Sequence, residues 1–193
     1  MGISIKKIFL SFLVFLLIPA CSFAISLDEL KAESNKYVLL SKSPDTEAYG
    51  DRDTAQFLKD SPPYYTMVCE FYYVDYQIAR IMHMYILVNY DYNRSLKTLA
   101  NNILIKHPND RQKILKSPEK YEEELKREIL ANNGMKASFK IKGVYDLEGR
   151  LVLKGIDLFT DINKPIVFNS MPFYVANALF YKYKHEYFCY STY

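Results

Sequence analysis

The sequence contains no tryptophan and only three histidines, three cysteines and six glycines among its 193 residues. It has no glycine-rich phosphate loop, G-x-S-x-G, H-E-x-x-H, paired C-x-x-C or EF-hand pattern. No two histidines lie at a spacing typical of metal ligands, and no cysteine pair supplements them. The sequence therefore predicts no catalytic, cofactor-binding or metal-binding residue, and it favours a protein that is not an enzyme.

A few polar residues could still carry chemistry, and each also has a structural interpretation. His83 lies in a segment predicted to be helical, where a packed or surface histidine is more common than a ligand. His185 and Glu186 could form an acid–base pair, but neighbours on a strand point to opposite faces. Asp157 and Asp161 could act as general acid and base, although aspartates at loop ends usually cap turns. An exported, hydrolase-like enzyme stays as the alternative interpretation.

Residues 1–24 have the layout of a bacterial export signal. Lys6 and Lys7 precede an apolar run over residues 8–18, which is too short to span a bilayer comfortably. The small residues that follow match the pattern cleaved by signal peptidase, which places the cut after Ala24. We therefore expect an exported protein, periplasmic or secreted, whose residues 25–193 form a single α+β domain.

Lipidation at Cys21 is the alternative to this cut. The sequence Ile18-Pro19-Ala20-Cys21 resembles a bacterial lipoprotein box. Lipoproteins often carry a loose polar tether after the lipidated cysteine, whereas here Ser26 and Glu29 form a capping box that begins a helix at once. Cleavage after Ala24 is the preferred interpretation, and the protein would be anchored to a membrane only if Cys21 is lipidated.

The remaining chain is nearly neutral. Residues 1–24 contain Lys6 and Lys7 but no acidic residue, so their removal leaves 23 basic and 22 acidic side chains. Such a surface offers no electrostatic reason to bind nucleic acid or anionic lipid. The expected partner is an unknown protein or small ligand.

Removal or lipidation of Cys21 would leave Cys69 and Cys189. Two cysteines in an oxidising compartment are candidates for a disulfide, which here would close a loop of about 120 residues. The alternative is a pair of separate buried thiols, because free cysteine is among the most buried residue types.

The chain is rich in aromatic residues, with 18 tyrosines and 12 phenylalanines. The tyrosines could form a platform for a carbohydrate or peptide. A general compositional bias is the preferred explanation, because enrichment of aromatic side chains at the surface cannot be seen from sequence.

Apolar spacing predicts that residues 25–133 are helical. Helices are expected over residues 27–40, 53–59, 61–88, 96–106 and 118–131. The longest rests on a stripe with steps of three and four residues: Met67, Phe71, Val74, Ile78, Ile81, Tyr85 and Val88. The segment YDYNRSLKTLANNILIKHPND, residues 90–110, resembles the turn and second helix of a tetratricopeptide-type hairpin. That resemblance implies an αα-hairpin made with the long helix.

Residues 134–193 are predicted to be mainly strands. Phe139 and Ile141 alternate with polar residues, residues 146–149 form a hairpin loop, and further strands are expected over residues 151–159, 166–168 and 186–192. One helix begins near Ser170. The predicted fold is therefore α+β, with an N-terminal helical layer that includes the αα-hairpin, followed by a small antiparallel β-sheet with one further helix.

The combined interpretation is an exported, non-catalytic binding or accessory domain. Its ligand would lie in a groove between the helical hairpin and the sheet. Converging titratable groups in the largest pocket would favour the enzyme alternative instead.

We predict that the mature chain starts at Ile25. The intact mass of the protein from its natural host should equal that of residues 25–193. A mass that retains Cys21 with a diacylglyceryl group would contradict the prediction and identify a lipoprotein.

Overall fold

The computed structural model describes residues 25–106, 118–156 and 158–189. Within these ranges the main element is an eight-stranded antiparallel sheet. The strands are β1 (Tyr37–Lys42), β2 (Thr46–Asp51), β3 (Gln56–Ser61), β4 (Tyr64–Asp75), β5 (Arg80–Asp91), β6 (Met135–Tyr145), β7 (Leu151–Lys154) and β8 (Thr160–Pro165). The helices are α1 (Leu27–Ala32), α2 (Leu96–Lys106), α3 (Pro118–Ala131) and α4 (Met171–Lys184), with a 3-10 turn at Tyr92–Arg94.

Three long strands, β4, β5 and β6, form the centre of the sheet. On one side, β2 and β3 lie end to end along β4, and β1 pairs with β2. On the other side, β7 and β8 lie end to end along β6. The β4–β5 pairing runs without interruption from Tyr64 opposite Asp91 to Asp75 opposite Arg80.

Helices α2, α3 and α4 cover one face of the sheet, which we call the helical face. Alternate residues of the central strands point to it, because successive side chains of a strand point to opposite faces. The main core combines Met67, Cys69, Phe71, Met84, Ile86, Val88, Met135 and Ala137 from strands with Leu99, Ile103, Leu125, Ile129, Phe173, Leu179 and Phe180 from helices. None of the described helices is long and apolar enough to cross a membrane.

Helix α1 covers one end of the opposite face. Its capping box is confirmed: the Glu29 N–H donates to Ser26 Oγ at 3.3 Å, and the Ser26 N–H donates to Glu29 Oε2 at 2.7 Å. Leu30 then packs into a second core with Tyr37, Tyr49, Tyr72, Val74, Ile81 and Tyr145. The central strands are therefore buried on both faces at this end of the sheet.

The predicted N-terminal helical layer is wrong. Five of the eight strands lie within residues 25–133, and the first helix ends at Ala32 instead of residue 40. Residues 56–61, which include most of the predicted second helix, form β3. Helix α1 precedes the sheet, α2 and α3 lie between β5 and β6, and α4 follows β8. The fold is therefore a mostly antiparallel sheet with a few helices.

The long predicted helix is the hairpin of β4 and β5, so the αα-hairpin does not exist. A strand buried on both faces has a nearly continuous apolar sequence, which periodicity alone cannot distinguish from a buried helix. The turn at residues 76–79 contains no glycine, proline or asparagine, and Ala79 adopts a left-handed φ of 50°. The Asp75 carboxylate stabilises this turn by accepting from the N–H groups of Gln77 and Ile78.

Most of the elements predicted after residue 95 are present in the structure. Helices α2, α3 and α4 are confirmed, together with the hairpin of β6 and β7. Gly134 follows α3 with a φ of 72°, as expected for a glycine that ends a helix. The strand predicted over residues 166–168 is wrong, because β8 ends at Pro165, and residues 186–189 are not a strand either.

We predict that Ile81→Ala destabilises the protein by about 2–5 kcal/mol, because it leaves a cavity in the second core. Ile81 is 0% exposed, whereas Ile78, predicted from the same stripe to be buried, is 58% exposed in the turn. The matched variant Ile78→Ala should change the free energy of unfolding by less than about 0.5 kcal/mol. Urea unfolding measures both, and equal losses would contradict the two-strand assignment of this segment.

Candidate functional site

An open cavity of about 490 Å³ lies between α4 and the edge formed by β1 and β2. Its floor consists of Leu40, Cys69, Val175, Asn177 and Leu179, all of them buried. The Asn177 side chain is satisfied internally, because it donates to the Phe173 carbonyl and accepts from the Cys189 N–H at 2.8 Å. The floor therefore suits an apolar group and offers it no unpaired amide.

The exposed lining residues form the mouth of the cavity. Tyr181 and Tyr187 stack there, with ring centroids 4.7 Å apart. Arg52, Lys182 and His185 also line the cavity and are exposed. Apolar walls with a few polar groups at the entrance are typical of small-molecule sites, and the volume falls in their usual range.

The predicted disulfide between Cys69 and Cys189 is not formed in the described structure, where both cysteines are buried thiols of the main core. Burial and the nearby Asp51 carboxylate raise the pKa of Cys69 to about 12. The thiol on the floor of the cavity therefore stays protonated, and it is a poor nucleophile. The pairing prediction failed because a count of cysteines carries no information about the distance between them.

The other predicted site residues do not come together. His185 lies at the mouth of the cavity, while Glu186 accepts from Tyr92 Oη and from Lys97 Nζ on another side. Asp161 is exposed on β8 with a φ of 49°. The predictions concerning Cys21, Ala24 and Asp157 lie outside the described residues.

His83 belongs to a charged cluster on the opposite face that sequence reasoning did not find. Its Nε2 lies 2.6 Å from Glu70 Oε2, and the other oxygen of Glu70 accepts from Lys142. The Tyr72 ring stacks on the imidazole with centroids 4.4 Å apart. Glu70, His83 and Lys142 come from β4, β5 and β6, so the cluster ties the central strands together.

The electrostatics of this cluster favour a structural role. Burial raises the pKa of Glu70, but hydrogen bonds from Lys142 and His83 lower it more, so the carboxylate stays ionised. Burial lowers the pKa of His83 more than Glu70 raises it, which favours the neutral imidazole. Within the described ranges His83 has no hydrogen bond to a serine, threonine or cysteine, so no nucleophile is aligned with this dyad.

A second carboxylate is enclosed on the same face. Glu47 is 4% exposed and accepts from the hydroxyl groups of Tyr49 and Tyr76, each at 2.6 Å. It also pairs with Lys42 at 3.0 Å and Lys31 at 3.7 Å. Burial opposes ionisation, but these partners outweigh it and hold the pKa of Glu47 at about 2.

No protein-family model matches this chain, and no curated protein and no solved structure is significantly similar to it. The candidate function therefore depends on the geometry alone. Among the described residues no group of three histidine, cysteine or acidic side chains is placed to hold a metal ion.

The cavity is the feature that sequence reasoning placed wrongly. A groove was expected between a helical hairpin and the sheet, whereas the cavity lies between α4 and the β1–β2 edge. Helix α4 itself was predicted, and Tyr174, Ala178 and Lys182 on it recur at the spacing of one helix face. That spacing was the available signal, but β1 was interpreted as helix, so the opposite wall could not be recognised.

We predict that Glu47→Gln reduces the loss of stability on acidification. The folded pKa lies below the unfolded value, so the ionised carboxylate stabilises the fold above about pH 5, and this is lost as the pH falls toward 2. The effect should be about 2–3 kcal/mol near pH 7, measured by urea unfolding across this pH range. Glu123→Gln, an exposed change on α3, is the control. Parallel pH profiles for wild type and Glu47→Gln would contradict the assignment.

Proposed function

We propose that this chain is an exported, non-catalytic domain that binds a small apolar ligand in the cavity between α4 and the β1–β2 edge. The observation that carries the proposal is the open volume of about 490 Å³ above a floor that is apolar apart from the internally hydrogen-bonded Asn177. Because apolar surface is expelled from water, such a floor favours an apolar ligand over water. Export is supported only by the composition of residues 1–24.

The chemistry of the two faces supports binding over catalysis. The carboxylates of Glu47 and Glu70 are each held by partners of opposite charge or by hydroxyl groups, so neither is poised to accept a proton. The Cys69 thiol in the cavity has a raised pKa. Several perturbed groups that converge on a pocket would have favoured an enzyme, whereas Cys69 is a single protonated thiol on the floor of this cavity.

The test is a variant that fills the cavity. Ala178 lines it from the middle of α4, so Ala178→Phe should occupy the space that the ligand needs. The neutral fluorophore phenylnaphthylamine, which brightens in apolar surroundings, should bind the wild-type protein and bind the variant at least about tenfold more weakly. Ala178→Leu should give an intermediate loss.

Ala131→Phe is the matched control, because Ala131 is an exposed alanine at the end of α3. Thermal melts of all variants show whether each remains folded. Equal binding of the fluorophore by wild type and a folded Ala178→Phe would contradict the proposed site.

A further inference from the structure

The lining of the cavity changes from apolar to basic along α4. Tyr174, Val175 and Ala178 form the apolar stretch, and Lys182 and His185 follow at the C-terminal end of the helix. The distance from residue 174 to residue 185 is roughly 16 Å along the helix axis. A ligand that lies along this wall therefore meets apolar side chains at one end and basic side chains at the other.

Arg52 joins Lys182 at the basic end. Lys182 Nζ donates to the Arg52 carbonyl, so the two residues lie side by side across the mouth. Among the described residues the Arg52 guanidinium has no hydrogen-bond or ion-pair partner, and the Lys182 ammonium pairs with no carboxylate. Both cations line the same mouth and have no carboxylate partner there, so an anion bound at the mouth would be stabilised.

The acidic residue of the lining does not neutralise this pair. Asp51 is buried, and its carboxylate accepts from the Asp53 N–H at 2.9 Å. Strand alternation places the Asp51 side chain on the same face of β2 as Glu47 and Tyr49, which is opposite to α4. Asp51 therefore borders the cavity as the last residue of β2, but its carboxylate does not pair with the Arg52 guanidinium.

The dipole of α4 works against an anion at this end, because the C-terminus of a helix carries partial negative charge. Any preference for an anion must then come from the basic side chains at the mouth, chiefly Arg52 and Lys182, and not from backbone groups. Removal of the charges of Arg52 and Lys182 should therefore weaken the binding of an anion.

We propose that the ligand is an anionic amphiphile, bound as a free molecule, with its apolar body on the floor of the cavity and its negatively charged head between Arg52 and Lys182. The inference rests on the proposed function, since it concerns the same cavity. A fatty-acid-like carboxylate has the required chemistry: a flexible apolar body and one charged end.

The experiment compares decanoate with decanol, which has the same length of chain and no charge. Each displaces phenylnaphthylamine from the wild-type protein, and decanoate should bind more tightly. In Arg52→Gln/Lys182→Gln, decanoate should bind about tenfold more weakly, because each exposed charge pair contributes up to about fivefold. Decanol should bind the wild type and the double variant equally.

Salt and a control variant separate charge from structure. Added salt should weaken the binding of decanoate but not of decanol, because exposed charges are screened. Lys154→Gln removes an exposed charge on β7 and should leave both affinities unchanged. Equal binding of decanoate and decanol, with no effect of the double variant, would overturn the anionic head while leaving the apolar site intact.

Two further outcomes separate a failure of the proposed function from a failure of the anionic-ligand proposal. If phenylnaphthylamine does not bind, or binds a folded Ala178→Phe as well as wild type, the proposed function itself fails. If the protein sediments with phosphatidylglycerol vesicles but does not bind monomeric decanoate, the anion belongs to a membrane surface and the inference is wrong.

Discussion

Twelve consecutive residue pairs join β4 to β5, and the contents of both faces of the sheet depend on the register of this pairing. Cys69 and Ile86 stand opposite each other on the helical face, while Tyr72 and His83 stand opposite each other on the other face. A shift by one residue would exchange the two sets of side chains. It would put Glu70 and His83 on opposite faces of the sheet and leave one of them under the helices, where an unpaired polar group is expensive to bury. The register is therefore determined by polarity as well as by shape.

Charged side chains are paired on the opposite face of the sheet but not at the mouth of the cavity. On the opposite face, Glu47 and Glu70 each meet several donors, so the charges are neutralised within the fold. At the mouth of the cavity, Arg52 and Lys182 lie together, and the nearest lining carboxylate is turned to the other side of β2. Charges paired in the folded chain stabilise it, whereas charges left without a counter-ion are available to a ligand. This contrast is the physical basis for the ligand site that we propose at the cavity.

Many of the aromatic side chains pack in the interior of the protein. Tyr90, Phe180 and Phe188 form a cluster with ring centroids 5.0–5.1 Å apart, and the Tyr90 hydroxyl donates to the Ala176 carbonyl at 2.8 Å. A buried tyrosine needs such a partner, and here the bond also ties β5 to α4. Aromatic packing therefore positions the helix that forms one wall of the cavity. The stacked pair Tyr181 and Tyr187 is the part of this composition that reaches the mouth.

Local signals in the sequence determined the pieces whose structure depends on nearby residues. The capping box at Ser26, the helices α2, α3 and α4 and the glycine after α3 are all encoded within a few residues of one another. Local sequence signals did not predict the hairpin of β4 and β5. Its strands are apolar on both faces, and residues 76–79 of its turn include no glycine, proline or asparagine. Only pairing with each other and with β2, β3 and β6 decided that these segments are strands, because strand hydrogen bonds need a partner strand and helix hydrogen bonds do not. The cavity followed from the same cause: its walls are more than a hundred residues apart, and only the tertiary structure brings Arg52 beside Lys182.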